Sequence, residues 1–121
     1  MQKTRGELEA AFTRAIIQME KEYLGRGPLE ARTFFVDDMI IVRLRGVLTP
    51  AEKKLAESNE GRLLIKETRR QLFETSRDLL GKLVKDTIGC TVLCFHSDMS
   101  TRTGERVLVL TVDNHLDQLY R

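Results

Sequence analysis

Cys94, His96 and Asp98 stand at alternate positions of one strand-like run, so their side chains share a face. Thiol, imidazole and carboxylate are all metal-ligand types, and a strand can present ligands at i and i+2. The close spacings of established metal sites are absent, however, and His115 has no fixed relation to the trio. The expectation is therefore a core Cys94 and a partly buried His96 near a strand end, with no bound metal and no other cofactor. Around the trio lie Ser97, Ser100, Thr101 and Thr103, with Arg102 and Gly104 among them. Adjacency in sequence does not make a catalytic triad, since geometry decides that. Such a loop can still cradle an oxyanion through hydroxyl and backbone donors. It is the first place to expect ligand contact, because loops on rigid sheets carry binding residues. An enzyme built here would draw on His96, Asp98 and Glu105, with His96 or Glu105 as acid or base.

A second group of chemically capable residues is basic. Arg26, Arg32, Arg43 and Arg45 precede or occupy the first strand-rich segment, and Arg62, Arg69, Arg70 and Arg77 stud the segment after it. Converging, they would bind an anion or an acidic partner surface. Interspersed acids favour a solvated, salt-bridged face instead. With 20 basic and 18 acidic residues the formal charge is only +2, and few aromatics accompany the arginines. Nucleic-acid binding ranks last on both counts. Gly25-Arg26-Gly27-Pro28 reads first as helix-stopping punctuation; as an anion loop it lacks the strand–glycines–helix order.

The elements that must position these residues follow from periodicity. Leu8, Ala11, Phe12, Ala15, Ile16, Met19 and Tyr23 give a helix from about Gly6 to Leu24. Arg32–Val36 and Met39–Val47 alternate as strands around an Asp37-Asp38 turn, with Ile40, Val42 and Leu44 facing a core. Thr49-Pro50-Ala51-Glu52 is a capping box with proline at N1, so Glu52 is read as a capping residue rather than a catalytic acid. Asn59–Thr87 reads as one long amphipathic helix with Ile65, Leu72, Ser76, Leu79 and Leu83 on its stripe, widened by Leu80 and Val84. Strands over Cys90–Ser97 and Arg106–Val112 close the order α-β-β-α-α-β-β, the last of them central or covered twice because both its faces are apolar. Residues 114–121 read as a short tail that frays.

This predicts an α+β fold: residues 1–121 as a single domain, a four-stranded, mostly antiparallel sheet covered by helices including the long one at 59–87. An uncovered apolar face or a free edge is a liability that homodimerisation would remove. Cys90 and Cys94 lie too far apart on one strand to bridge easily and are expected reduced and buried. No run of about 18 apolar residues and no apolar N-terminal signal region is present, so a cytoplasmic protein is expected.

Several strings resemble a bacterial family. They are Glu20-Lys21-Glu22-Tyr23-Leu24-Gly25-Arg26-Gly27-Pro28, the run from Asp38 to Glu52 containing Leu48-Thr49-Pro50-Ala51-Glu52, then Lys66-Glu67-Thr68-Arg69-Arg70, and His96 to Arg106. Together they resemble the MpsC-like family over about residues 3–113. The resemblance implies a small soluble component of a sodium-dependent, membrane-potential-generating system also linked to bicarbonate uptake. It implies no catalytic motif. A membrane transport protein is the partner it implies, and its matched strings nominate Arg26, Arg43, Arg69, His96, Asp98, Thr103 and Glu105 as binding candidates.

Overall fold

The computed structural model describes residues 3–119, with side chains through residue 118. Helix α1 (Arg5–Leu24) begins at Thr4, whose hydroxyl accepts from the Glu7 amide in a capping box, and ends at Gly25 in the left-handed region, φ 80°. That conformation costs a glycine nothing. Its buried stripe is Leu8, Phe12, Ile16 and Met19, extended by a carboxylate, Glu20. Strands β1 (Glu30–Val36) and β2 (Met39–Arg45) form the expected hairpin, with Asp37 at φ 55° in the turn.

Helix α2 (Pro50–Leu55) starts at the Thr49 cap, where Thr49 Oγ1 accepts from the Glu52 amide and Glu52 Oε1 accepts from the Thr49 amide. Removing that hydroxyl leaves a first-turn donor unsatisfied. Thr49→Ala is therefore expected to lower the unfolding free energy by about 1 kcal/mol, read from urea denaturation.

The segment expected as one long helix is two, α3 (Asn59–Thr75) and α4 (Arg77–Thr87). Ser76 interrupts it. The Ser76 hydroxyl donates to the Phe73 carbonyl at 2.9 Å, and the Ser76 amide is shared between the carbonyls of Leu72 and Phe73. A serine bonded back to the preceding turn tightens the ladder and bends a helix. The buried stripe also differs from expectation: Ile65, Phe73, Ser76, Leu80 and Val84 are buried, whereas Leu79 is exposed.

Strands β3 (Val92–Met99) and β4 (Arg106–Val112) complete an all-antiparallel sheet in the order β1-β2-β4-β3. β4 is thus interior, as its two apolar faces require. Among the described residues the helices lie on one face only, over a core of Phe12, Ile16, Phe35, Ile40, Val42, Leu80, Val84, Leu108 and Leu110. The tail does not simply fray. A short helix, α5 (Leu116–Leu119), seats a fully buried Leu116 whose amide donates to the Asp37 carbonyl at 2.7 Å. Residues 120 and 121 of that tail lie outside the described residues.

A bulge between Val92 and Cys94 corrects the expected cysteine pattern. Without it, Cys90 and Cys94 would share a face; the extra residue switches the phase. Cys90 is buried and Cys94 is exposed, and both thiols are free. His96, expected to be partly buried, is exposed for the same reason.

Candidate functional site

β3 is a sheet edge, and α3 runs beside it. Between them opens a cleft of about 480 Å³. Phe73, Phe95 and Met99 give it an apolar lining, with the exposed Leu63 at its rim. Lys66, Arg69 and Arg70 line it from α3, His96, Ser97 and Asp98 from β3, and Arg106 from the start of β4.

Two ion pairs, one buried and one half-buried, fix its inner walls. Arg106 Nη1 donates to Glu20 Oε1 at 2.8 Å, with 7% and 5% of the two side chains exposed. Arg106 Nε donates to Ser97 Oγ at 3.2 Å, and the guanidinium lies 5.6 Å from the Phe73 ring centroid. Burial raises the Glu20 carboxyl above its usual range, although Arg106 and Arg69 pull it down. Burial likewise lowers the Arg106 guanidinium, against the attraction of Glu20. Both directions say that desolvation outweighs the charge attraction in this pair.

The second pair is better solvated. Arg69 forks onto Glu52, Nε to Oε2 at 3.0 Å and Nη2 to Oε1 at 2.6 Å, while Nη2 also donates to the Val47 carbonyl. Burial raises the Glu52 carboxyl, but the hydrogen bonds from Arg69 and from Thr49 outweigh it and hold the group below its usual range. Glu52 thus caps α2 and anchors α3 together.

At the mouth the pairs are exposed. Lys66 Nζ lies 3.4 Å from Asp98 Oδ1, and Arg70 bonds Glu67, whose carboxyl it holds down at about 2. Pairs this open contribute little to stability and exchange readily with a ligand's charges.

Of the residues nominated from sequence, the cleft gathers Arg69, His96 and Asp98. The others are elsewhere. Arg26 donates to the Leu48 carbonyl at 2.9 Å. Arg43 bonds Glu105 at 2.7 Å on the open face of the sheet, with Arg45 near the same carboxylate. Thr103 lines a second cleft, about 840 Å³, with Leu29, Lys53 and Arg62. The hydroxyl-rich loop uses three of its amides within itself. Thr103 donates to Ser100 Oγ, Gly104 to the Ser100 carbonyl and Glu105 to Thr103 Oγ1. Among the described residues, no three His, Cys, Asp or Glu side chains come together as a metal site.

Sequence reasoning missed Glu20, Phe73, Phe95 and Arg106. Two signals were available. Glu20 interrupts the apolar stripe of α1, and Arg106 is a lone charge opening an otherwise apolar strand. Buried charges at such positions require partners.

In chemical terms each cation of the cleft already has a carboxylate, so a free small anion would have to displace one. The apolar lining, the exchangeable rim charges and the strand edge suit an extended segment better. Its main chain can pair with β3 while an apolar side chain enters beside Phe73 and Phe95.

These features define a small α+β domain with a groove between a helix and a sheet edge, its inner walls tied by a buried and a half-buried ion pair. The chain belongs to the MpsC family, described as "Na+-translocating membrane potential-generating system (MpsC)", whose model matches residues 4–114. It is similar to the Bacillus subtilis (strain 168) protein YbcI, itself described as uncharacterized, with 44% identity over 118 residues, 98% of this chain and 95% of that one. It is also similar to the uncharacterized protein YrhF of the same organism, 28% identical over 111 residues and 88% of each chain. No solved structure matches it.

Proposed function

We propose that this chain is a non-enzymatic binding and regulatory subunit of a membrane ion or bicarbonate transport system. It works from the cytoplasm, as a homodimer, and takes a segment of its membrane partner into the α3–β3 cleft. The observation that carries this reading is the groove itself: an unpaired strand edge facing a helix across an apolar lining with charged rims. The family description supplies the membrane system. No helix of the described residues is long and apolar enough to cross a membrane, so the reading assigns translocation to the partner. A small enzyme would need His96, Asp98 and Glu105 together, and Glu105 is held outside the cleft by Arg43 and Arg45.

The test is capture of a multi-span transport protein from detergent-solubilised membranes, identified by mass spectrometry. Leu63→Asp, at a side chain 70% exposed, should weaken capture about tenfold or more without a folding cost. Phe95→Ala should do the same with some loss of stability. A chain that never associates with membranes, or whose association ignores both substitutions, would sink the proposal.

A further inference from the structure

Among the described residues, one face of the sheet is bare. The helices cover the face of Phe35, Ile40, Val42, Leu108 and Leu110, and the alternate side chains point the other way. Phe34, Ile41, Val107 and Val109 belong to no core cluster and are only half-buried, by their own neighbours.

The register sorts this face into rows running across the strands. The first is Val36–Met39–Thr111–Cys94 and the second Phe34–Ile41–Val109–His96. The third, Arg32–Arg43–Val107–Asp98, has a cation at one edge and an anion at the other, with Arg43 between them paired to Glu105. Beyond it stand Arg45 and Glu30, already near one another at 3.9 Å. One end of the face is thus apolar and the other is charged, with a dipole across the strands.

We propose that a second copy of this chain docks here, sheet on sheet, about a two-fold axis parallel to the strands. A face-to-face dimer has two simple choices of axis. An axis across the strands would lay the apolar rows of one copy over the charged rows of the other. An axis along the strands lays every row over itself with strand order reversed. Phe34 then meets the His96 imidazole of the second copy and Ile41 meets its Val109, so the apolar middle of the face is covered. In the third row Arg32 meets Asp98 of the second copy, and the same contact recurs by symmetry. Asp98 keeps Lys66 at its other side, so the contact is a shared one. Sheets stacked this way lie about 10 Å apart. The face measures roughly 20 by 20 Å, which is small for a specific interface, so the dimer is reversible with a dissociation constant on the order of micromolar. The inference gives a surface to the homodimer of the proposed function and stands or falls apart from its transport role.

Sedimentation velocity of the full chain over a concentration series should show a monomer–dimer equilibrium. Arg32→Glu and Asp98→Lys should each weaken it about tenfold, and the double variant should recover most of the loss. Ile41→Glu should abolish it, with circular dichroism checking the fold. In the Val36→Cys variant a short bis-maleimide reagent should join two copies through the introduced thiol and Cys94 of the second copy. The wild type, whose Cys94 faces Val36, should not be joined, nor should the variant that also carries Cys94→Ser. A monomer throughout, a dimer indifferent to Ile41→Glu, or a double charge swap without recovery would overturn the proposal.

Discussion

Glu20→Ala is expected to lower the unfolding free energy by about 3–5 kcal/mol, the usual cost of removing one partner of a buried ion pair. The substitution strips Arg106 of its charged acceptor at 2.8 Å and leaves the guanidinium with Ser97 and the Phe73 face. It also leaves a gap between α1 and the first residue of β4. The pair itself is not a net source of stability, because burial disfavours both charged forms. Replacing both members with apolar residues, Glu20→Met with Arg106→Leu, should therefore recover most of the loss. Urea denaturation of the two single variants and the double gives the cycle. A Glu20→Ala loss below about 1 kcal/mol, or a double variant as unstable as the single, would show the pair has been misread.

The same residue gives a pH dependence with a definite sign. The folded-state value of Glu20 lies above the ordinary 4.5, so the native state holds its proton more tightly than the unfolded state does. Its contribution is fully present below about pH 4.5 and is lost as the pH rises through the raised folded value. Glu52 runs the other way: its folded value is lowered, so its contribution is present above 4.5 and is lost as the pH falls through that lower value. The stability advantage of the wild type over Glu20→Gln should consequently be greatest at acid pH and shrink towards neutrality. An advantage that grew with pH would reverse the assignment.

Most of the fold was legible because local signals agreed with one another. Thr49, Pro50 and Glu52 marked a helix start that the structure reproduces hydrogen bond by hydrogen bond. Alternation in Ile40, Val42 and Leu44 fixed the core face of β2. The interruption at Ser76 left no trace in the pattern. Gly61, Ile65, Arg69, Phe73, Ser76, Leu80 and Val84 form one inward stripe, in steps of three or four residues throughout, close to the helical period of about 3.6. A bend that preserves phase is invisible to periodicity. The bulge before Cys94 does the opposite. It changes the phase of β3, and alternation read straight through it put Cys94 and His96 on the wrong side. In the cleft, Arg69, His96 and Asp98 could be nominated because they lie in distinctive strings. Arg106 and Glu20 are 86 positions apart, and only the packing of α1 against the sheet joins them.

Gly61→Ala should destabilise the protein by about 3 kcal/mol, although alanine is the better helix former by about 1 kcal/mol. Gly61 lies in the first turn of α3, where its amide donates to the Ser58 hydroxyl at 3.0 Å. A Cβ there would sit 1.7 Å from the Leu55 carbonyl oxygen and 2.6 Å from its carbon, both backbone atoms of the preceding helix. Relief requires moving α2 away from α3, and α2 carries Glu52 at its start. The fork of Arg69 onto Glu52 and the Val47 carbonyl then loses its geometry, and the inner end of the cleft loosens. Gly81→Ala supplies the internal comparison, since the added methyl meets only the Phe95 ring at 3.7 Å, an ordinary contact. That variant should gain roughly 0.5–1 kcal/mol from reduced backbone freedom. The same chemical change is thus expected to carry opposite signs in two helices of one protein. Equal effects at the two sites, measured by urea denaturation, would mean that the α2–α3 corner yields to the methyl and does not hold the cleft in shape.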